Sequence, residues 1–198
     1  MRVVVDWDAT CTVRDTQWMV LERFGDRGVF RRVESALGRT MSYREVMETE
    51  MATVTAPLEE VNAWLVAHVE VRPGFHELVE LFRPLVLSGG FVENIEPILQ
   101  REGVAVELVA NRLETRPDGW RIRWVDDAPC PECGDLCKRR SLPAERPLVY
   151  VGDGYSDRCA ALAADRVFAR RDLADYLISQ NHPFEPFEDF DDVAAALA

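Results

Sequence analysis

The chain has 198 residues, enough to bury a full core in one domain or in one domain carrying a modest insertion, which excludes a small disulfide scaffold. Hydrophobic residues make up 47% and charged residues 29%, with no long Gly, Ser or Gln tract, so the profile is globular, with disorder expected only at the ends. A formal net charge of -12 argues against a nucleic-acid partner, which needs clustered Lys and Arg, but not against a small anionic substrate, because local cations and a metal reverse the field inside one cleft.

Val3-Val4-Val5 is a β-branched run ended by polar residues, the pattern of a strand buried on both faces of a parallel sheet. Asp6 comes too early for the apolar core of a secretory signal, and no apolar run reaches the roughly 18 to 20 residues that span a bilayer; a cytoplasmic protein without membrane contact is expected. Residues 13–72 are helical. Trp18, Leu21 and Phe24 recur at helical spacing, as do Val29, Val33 and Leu37; Ser42 with Glu45 is a capping box, and Pro57 suits a first turn before Leu58, Val61 and Leu65. Trp18, Trp64 and Phe24 are expected in the core of this insertion.

Helices are then predicted over Phe75–Phe82, Val92–Glu102, Ser156–Ala164 and Leu173–Ser179. Strands are predicted over Leu85–Leu87, Val104–Val109, Leu148–Val151 and Arg166–Ala169, and a β-hairpin over 112–125 with Asp118-Gly119 at its turn. The alternation gives an α/β fold: a doubly wound, mainly parallel sheet formed by 1–12 and 73–198, a small helical cap of 13–72 inserted after the first strand, and the hairpin. In such sheets the site lies at the carboxyl ends of the strands, so the polar clusters that follow them converge on one crevice.

Four clusters carry chemistry. Asp6 and Asp8, two apart after the first strand, can point to one side of an extended segment, where one carboxylate attacks and the other manages a proton. Ser88-Gly89-Gly90 offers a hydroxyl and backbone N–H groups ahead of a helix, an anion cradle. Lys138, in a chain with very few lysines, suits a phosphate counter-charge, and in Gly152-Asp153-Gly154-Tyr155-Ser156-Asp157 the Asp153 carboxylate suits a hard cation while Asp157 orients a neighbour. Taken singly, each has a plain structural explanation: solvated turn carboxylates, a Gly-Gly turn, a surface cation, a helix N-cap at Ser156.

The ordered set resembles the motifs of the haloacid dehalogenase superfamily of phosphohydrolases: Asp-Trp-Asp-Ala-Thr its first, Ser88-Gly89 its second, Lys138 its third and Gly-Asp-Gly-Tyr-Ser-Asp its fourth. The wording of several segments also resembles the phosphoserine phosphatase group, the methionine-salvage phosphatases acting on 2-hydroxy-3-keto-5-methylthiopentenyl-1-phosphate, and the phosphocholine and phosphoethanolamine phosphatases. The resemblance implies Asp6 as nucleophile and Asp8 as general acid and base. It further implies Mg²⁺ on Asp6, Asp153 and the Asp8 carbonyl, phosphoryl binding by Ser88, Gly89 and Lys138, and support from Asp157. The partner it implies is a small phosphate ester, with the chain a monomer or homodimer. Trp7 and Ala9 depart from the Phe and Gly usual in related enzymes.

Five cysteines suit a reducing compartment. Cys130, Cys133 and Cys137 raise the possibility of zinc, but a closed site takes four ligands; Asp135, Cys11 or Cys159 is available as the fourth, and the favoured reading is free thiols that stiffen the loop presenting Lys138. Arg14, Asp15, Arg23 and Arg44 are the charged residues of the insertion with a potential reach to substrate. A competing reading of the whole chain is a phospho-accepting or phosphate-binding regulatory module, for which Asp8 would have no use.

Overall fold

The computed structural model describes residues 1–198. In chain order the elements are β1 (Arg2–Val5), α1 (Thr16–Phe24), α2 (Arg27–Glu34), α3 (Tyr43–Met51), α4 (Leu58–His68), α5 (Phe75–Phe82), β2 (Leu85–Phe91), α6 (Val92–Glu102), β3 (Glu107–Glu114), β4 (Arg121–Arg123), β5 (Leu148–Gly152), α7 (Arg158–Ala161), β6 (Arg166–Ala169), α8 (Arg171–Ser179), β7 (Glu185–Pro186) and α9 (Phe190–Leu197). They form one seven-stranded sheet in the order β4-β3-β2-β1-β5-β6-β7, parallel throughout except for β4. The apolar runs at Val3–Val5, Leu85–Leu87 and Leu148–Val151 are buried at its centre, as strands covered on both faces must be. Their carboxyl ends all open toward one edge, which fixes where the polar residues after each strand meet.

The helical stretch between β1 and β2 shares a continuous apolar core with the sheet, in which Met19, Leu21, Met51 and Leu65 join Phe75, Ile95 and Val151. Its two capping signals act as read, the Ser42 and Glu45 side chains capping α3 reciprocally and α4 beginning directly after Pro57, and Asp15 in addition caps α1 by accepting from Trp18 N. Trp120 ties this stretch down from the far side. Its backbone N–H reaches the carbonyls of Met51 and Val54, and its indole N–H donates to Ala56 O at 3.1 Å.

Three readings change in detail. The strand expected at 104–109 and the first arm of the hairpin are one strand, β3, which pairs parallel with β2 and antiparallel with β4; the connection to β4 runs over 115–120 rather than a two-residue turn, because Trp120 is drawn into the helical stretch. The helix expected over Ser156–Ala164 is a 3₁₀ turn (Tyr155–Asp157) followed by the single-turn α7, since the Asp157 carboxylate folds back onto the N–H groups of Asp153 and Gly154. Residues 185–197 add β7 and α9. Phe190 packs on Phe75 at 5.7 Å, and the backbone of Asp191 approaches Gly74 so closely that a Cβ there would lie 2.4 Å from Asp191 N, which with a φ of +78° explains the glycine.

Candidate active site

Asp6 leaves β1 with its N–H bonded to Val151 O at 2.9 Å, and the chain then turns tightly through Trp7–Cys11. Trp7 points away from the crevice into the core, edge-on to Phe75 at 6.2 Å. Ala9 sits at φ +55°, the left-handed region in which glycine is the low-strain residue. Arg72 braces this loop. Its buried guanidinium donates to Ala9 O (2.8 Å), Thr10 O (2.7 Å), Thr12 O (3.1 Å) and Glu188 O (3.1 Å), and its backbone N–H to Cys11 O (2.8 Å).

The Asp8 carboxylate lies at the N-terminus of α1, where it accepts from Thr16 N at 3.0 Å and from the Thr16 hydroxyl, and from Ser88 Oγ at 3.3 Å. Ser88 Oγ also accepts from Gly90 N at 2.8 Å. The two glycines follow from crowding: a Cβ on Gly89 would stand 2.4 Å from the Tyr43 hydroxyl, and one on Gly90 would stand 2.8 Å from Asp8 Oδ2. Thus β2 continues through both to Phe91, with its pairing to β3 interrupted between Leu87 and Phe91, and Asn111 holds the displaced Gly89 carbonyl at 2.8 Å.

Lys138 is the chain's only lysine and is 5% exposed, with its ammonium on Asp6 Oδ1 and, at 2.6 Å, on Asp157 Oδ1. Burial acts to lower its pKa, but the carboxylates of Asp157 and Asp6 outweigh that and raise it, so it stays charged. Asp157 is fully enclosed and fully partnered: besides Lys138 it accepts from the Tyr150 hydroxyl (2.7 Å) and from the N–H groups of Asp153 (3.0 Å) and Gly154 (2.9 Å). Asp153 accepts from Thr10 Oγ1 at 3.2 Å and faces Arg171 Nη1 at 3.6 Å.

Carboxylate oxygens of Asp6, Asp153 and Asp157 all lie within 4.8 Å of one another. Burial, then the charge of Asp157, push Asp6 well above the ordinary carboxylate range and Asp153 up to about 7. The same crevice is walled on the helical side by Asp15, Gln17, Trp18, Glu34, Tyr43 and Met47.

A model of the haloacid dehalogenase-like hydrolases matches residues 3–162. The chain belongs to that family. It is 28% identical over 214 residues to a 2-hydroxy-3-keto-5-methylthiopentenyl-1-phosphate phosphatase of Bacillus cereus, an alignment spanning 100% of this chain and 95% of that protein. It is also 28% identical over 224 residues to a polyol phosphate phosphatase of Saccharomyces cerevisiae, spanning 98% of this chain and 91% of that protein. Among solved structures, a phospho-aspartyl intermediate analogue of phosphoserine phosphatase superposes with a TM-score of 0.71 over 98% of this chain and 97% of that one, at 16% identity, a likeness of fold. The protein is a phosphoric monoester hydrolase.

Phosphatases of this family generally use Mg²⁺. The hydrolase's own donors fit that ion: the buried carboxylates of Asp6 and Asp153 crowd together with that of Asp157 against only two cations, Lys138 and Arg171, and hard oxygen ligands in that number suit magnesium. Asp157 has no lone pair to spare for it.

Several residues of the site carry no local sequence signal. Thr10, Arg72, Asn111, Tyr150 and Arg171 act through contacts 7 to 143 positions away in sequence or through one charged group facing another, and only the polar Tyr150 inside an apolar strand hints at its role. Trp18 is not a core residue of the helical stretch: it is 39% exposed, edge-on to Phe30 at 5.5 Å, at the crevice wall. Of the four charged residues expected to reach substrate, Asp15 alone lines the crevice; Arg14 pairs with Glu22, Arg44 with Glu48 and the Trp124 ring, and Arg23 lies over Phe24.

Proposed function

We propose that the hydrolase cleaves a small phosphorylated metabolite through a covalent phosphoryl group on Asp6. The observation that carries this reading is the meeting of Asp6, Asp8, Ser88, Lys138 and Asp153 from three strand ends and one loop around a single crevice. An Asp6 oxygen attacks phosphorus, the bond from phosphorus to the ester oxygen breaks, and Asp8 gives that oxygen its proton. Water then attacks the aspartyl phosphate, Asp8 takes its proton, and inorganic phosphate leaves with Asp6 restored. Ser88, the Gly89 N–H and Lys138 hold the phosphoryl oxygens, while Asp157 keeps Lys138 in line. Asp6, Asp153 and the Asp8 carbonyl would hold Mg²⁺, which would supply positive charge beside the transferring group. Residues 13–72 act as the cap over the leaving group, where water must be limited. The poise of Asp8, held by Thr16 beside Ser88, favours turnover over a module that merely stores a phosphoryl group.

The cap wall favours one side of the substrate choice. Asp15 and Glu34 face the leaving-group space, and the cap supplies no cation there. An amine or hydroxyls fit that wall; the carboxylate of phosphoserine meets like charge. Amino-alcohol phosphates such as phosphoethanolamine and phosphocholine, polyol phosphates and the methionine-salvage ester are therefore expected ahead of phosphoserine. The test is phosphate release with Mg²⁺ across these four classes, with Asp6→Asn as control. Wild-type turnover in Asp6→Asn would remove the assigned nucleophile, and phosphoserine as the best substrate would overturn the reading of the wall.

A further inference from the structure

Between β4 and β5 the chain makes an excursion of more than twenty residues whose only regular structure is one 3₁₀ turn, Lys138–Ser141. Such a length without helix or strand is uncommon inside a compact domain unless something holds it. What it brings together is sulfur. Cys130, Cys133 and Cys137 from the excursion and Cys159 from α7 place their four Sγ atoms within 4.8 Å of one another.

The separations suit a metal and not a bridge. A tetrahedral zinc with Zn–S bonds of about 2.3 Å has S···S edges of about 3.8 Å; the Cys130 and Cys159 sulfurs stand 3.9 Å apart. A disulfide needs about 2.05 Å, and all five cysteines are unbridged. The backbone around the sulfurs is shaped for thiolates. Cys130 and Gly134 close a tight turn, Gly134 N donating to Cys130 O at 2.8 Å and Cys130 N to Asp135 O at 2.9 Å, with Gly134 at φ +75°. In that turn the N–H groups of Glu132 and Cys133 point at the Cys130 sulfur, and that of Arg139 points at Cys137.

The other two candidates for the fourth ligand are taken elsewhere. Both Asp135 oxygens are occupied, by Tyr43 N at 2.8 Å and Leu136 N at 2.7 Å. Cys11 is buried in the turn after β1, where Asp6 and Arg72 are the charges that act on it. Cys159 is therefore the candidate that completes the set.

We propose that Cys130, Cys133, Cys137 and Cys159 bind one structural zinc ion. Four soft thiolates select zinc where the oxygen donors at Asp6 and Asp153 select magnesium, so the two sites do not compete. The placement gives the ion a task. Cys137 directly precedes Lys138, and Cys159 lies two residues after Asp157, so one ion clamps together the two segments whose 2.6 Å ion pair backs Asp6. This inference does not depend on which ester is cleaved.

The test is metal content of the full chain purified without chelator, measured by mass spectrometry together with thiol titration. One zinc per chain is expected, with the four clustered thiols becoming reactive only after denaturation in chelator. Cys11→Ser should keep the zinc and Cys159→Ser should lose it. Should Cys159→Ser fail to fold, Co²⁺ exchanged into the wild-type chain provides the second measurement, the intense visible bands of a tetrahedral tetrathiolate being expected. A zinc-free native chain with reactive thiols, a Cys130–Cys159 disulfide, or Co²⁺ bound without those bands would overturn the proposal.

Discussion

Arg72 offers the sharpest energetic test of how the active-site loop is held. It is 6% exposed, has no carboxylate partner, and spends its guanidinium on four carbonyl oxygens, three of them within the Asp6–Thr12 loop and the fourth just before α9. In Arg72→Lys the charge survives, but a single ammonium cannot span acceptors that a planar fork reaches from several sides. Two or three carbonyls then lose a charged donor in a dry environment, at about 1–3 kcal/mol each. Some are recovered by a trapped water, so a net loss of about 3 kcal/mol is expected. Urea unfolding followed by tryptophan fluorescence reads it directly, because Trp7 sits in the same loop against Phe75. Turnover should fall while KM stays within about twofold, since in the proposed mechanism the loop carries the reacting carboxylates and not the leaving-group wall. A stability loss under about 1 kcal/mol, with kcat unchanged, would refute the claim that these contacts hold the loop.

Lys138→Arg should cost at least about 100-fold in kcat under Mg²⁺-saturated conditions, because a guanidinium does not fit the enclosed gap between Asp6 and Asp157; a variant with near-normal kcat would show that charge alone suffices there. Glu50 is buried with Oε1 unpartnered, and burial followed by the charge of Glu34 pushes its carboxyl up to about 9. A folded-state pKa above the unfolded one means that its favourable contribution is full in acid and is lost as pH rises from about 4.5 through about 9. Glu50→Gln should therefore be more stable than wild type at pH 9, on the order of 1–2 kcal/mol, with the difference shrinking toward pH 5 in paired urea melts.

What the sequence makes legible is whatever a short window determines. The strands at Val3–Val5 and Leu148–Val151 show as apolar runs, α5 and α6 as periodic segments, α3 through its Ser42 and Glu45 cap, three of the four motif clusters because each follows a strand end, and Lys138 because lysine is so rare in the chain. Errors occur where a distant contact overrides the window. Trp120 reads as one more alternating hairpin residue until the carbonyls of Met51, Val54 and Ala56 claim it, and the hairpin opens into a longer connection. Ser156 reads as a helix start until Asp157 is drawn back to bind two N–H groups and Lys138. Cys159 lies 22 positions from Cys137, and spacing alone leaves it level with Asp135 and Cys11 as a fourth ligand; only the fold sets its sulfur beside the other three.

Composition holds one further signal, whose meaning depends on the structure. Of 23 basic residues, Lys138 alone is lysine, and it is also among the most enclosed. On the surface, where the arginines pair with Glu107, Glu22, Glu48 and Glu185, a rigid fork is tolerated and even favoured for its paired donors. Between two buried carboxylates that already sit within 4.8 Å of each other, only a compact cation with three radial donors can enter without forcing them apart. Replacing lysine by arginine is harmless on a solvated face but not here: the exception in the composition coincides with a place where, as at Arg72, the shape of the charge matters as much as its sign.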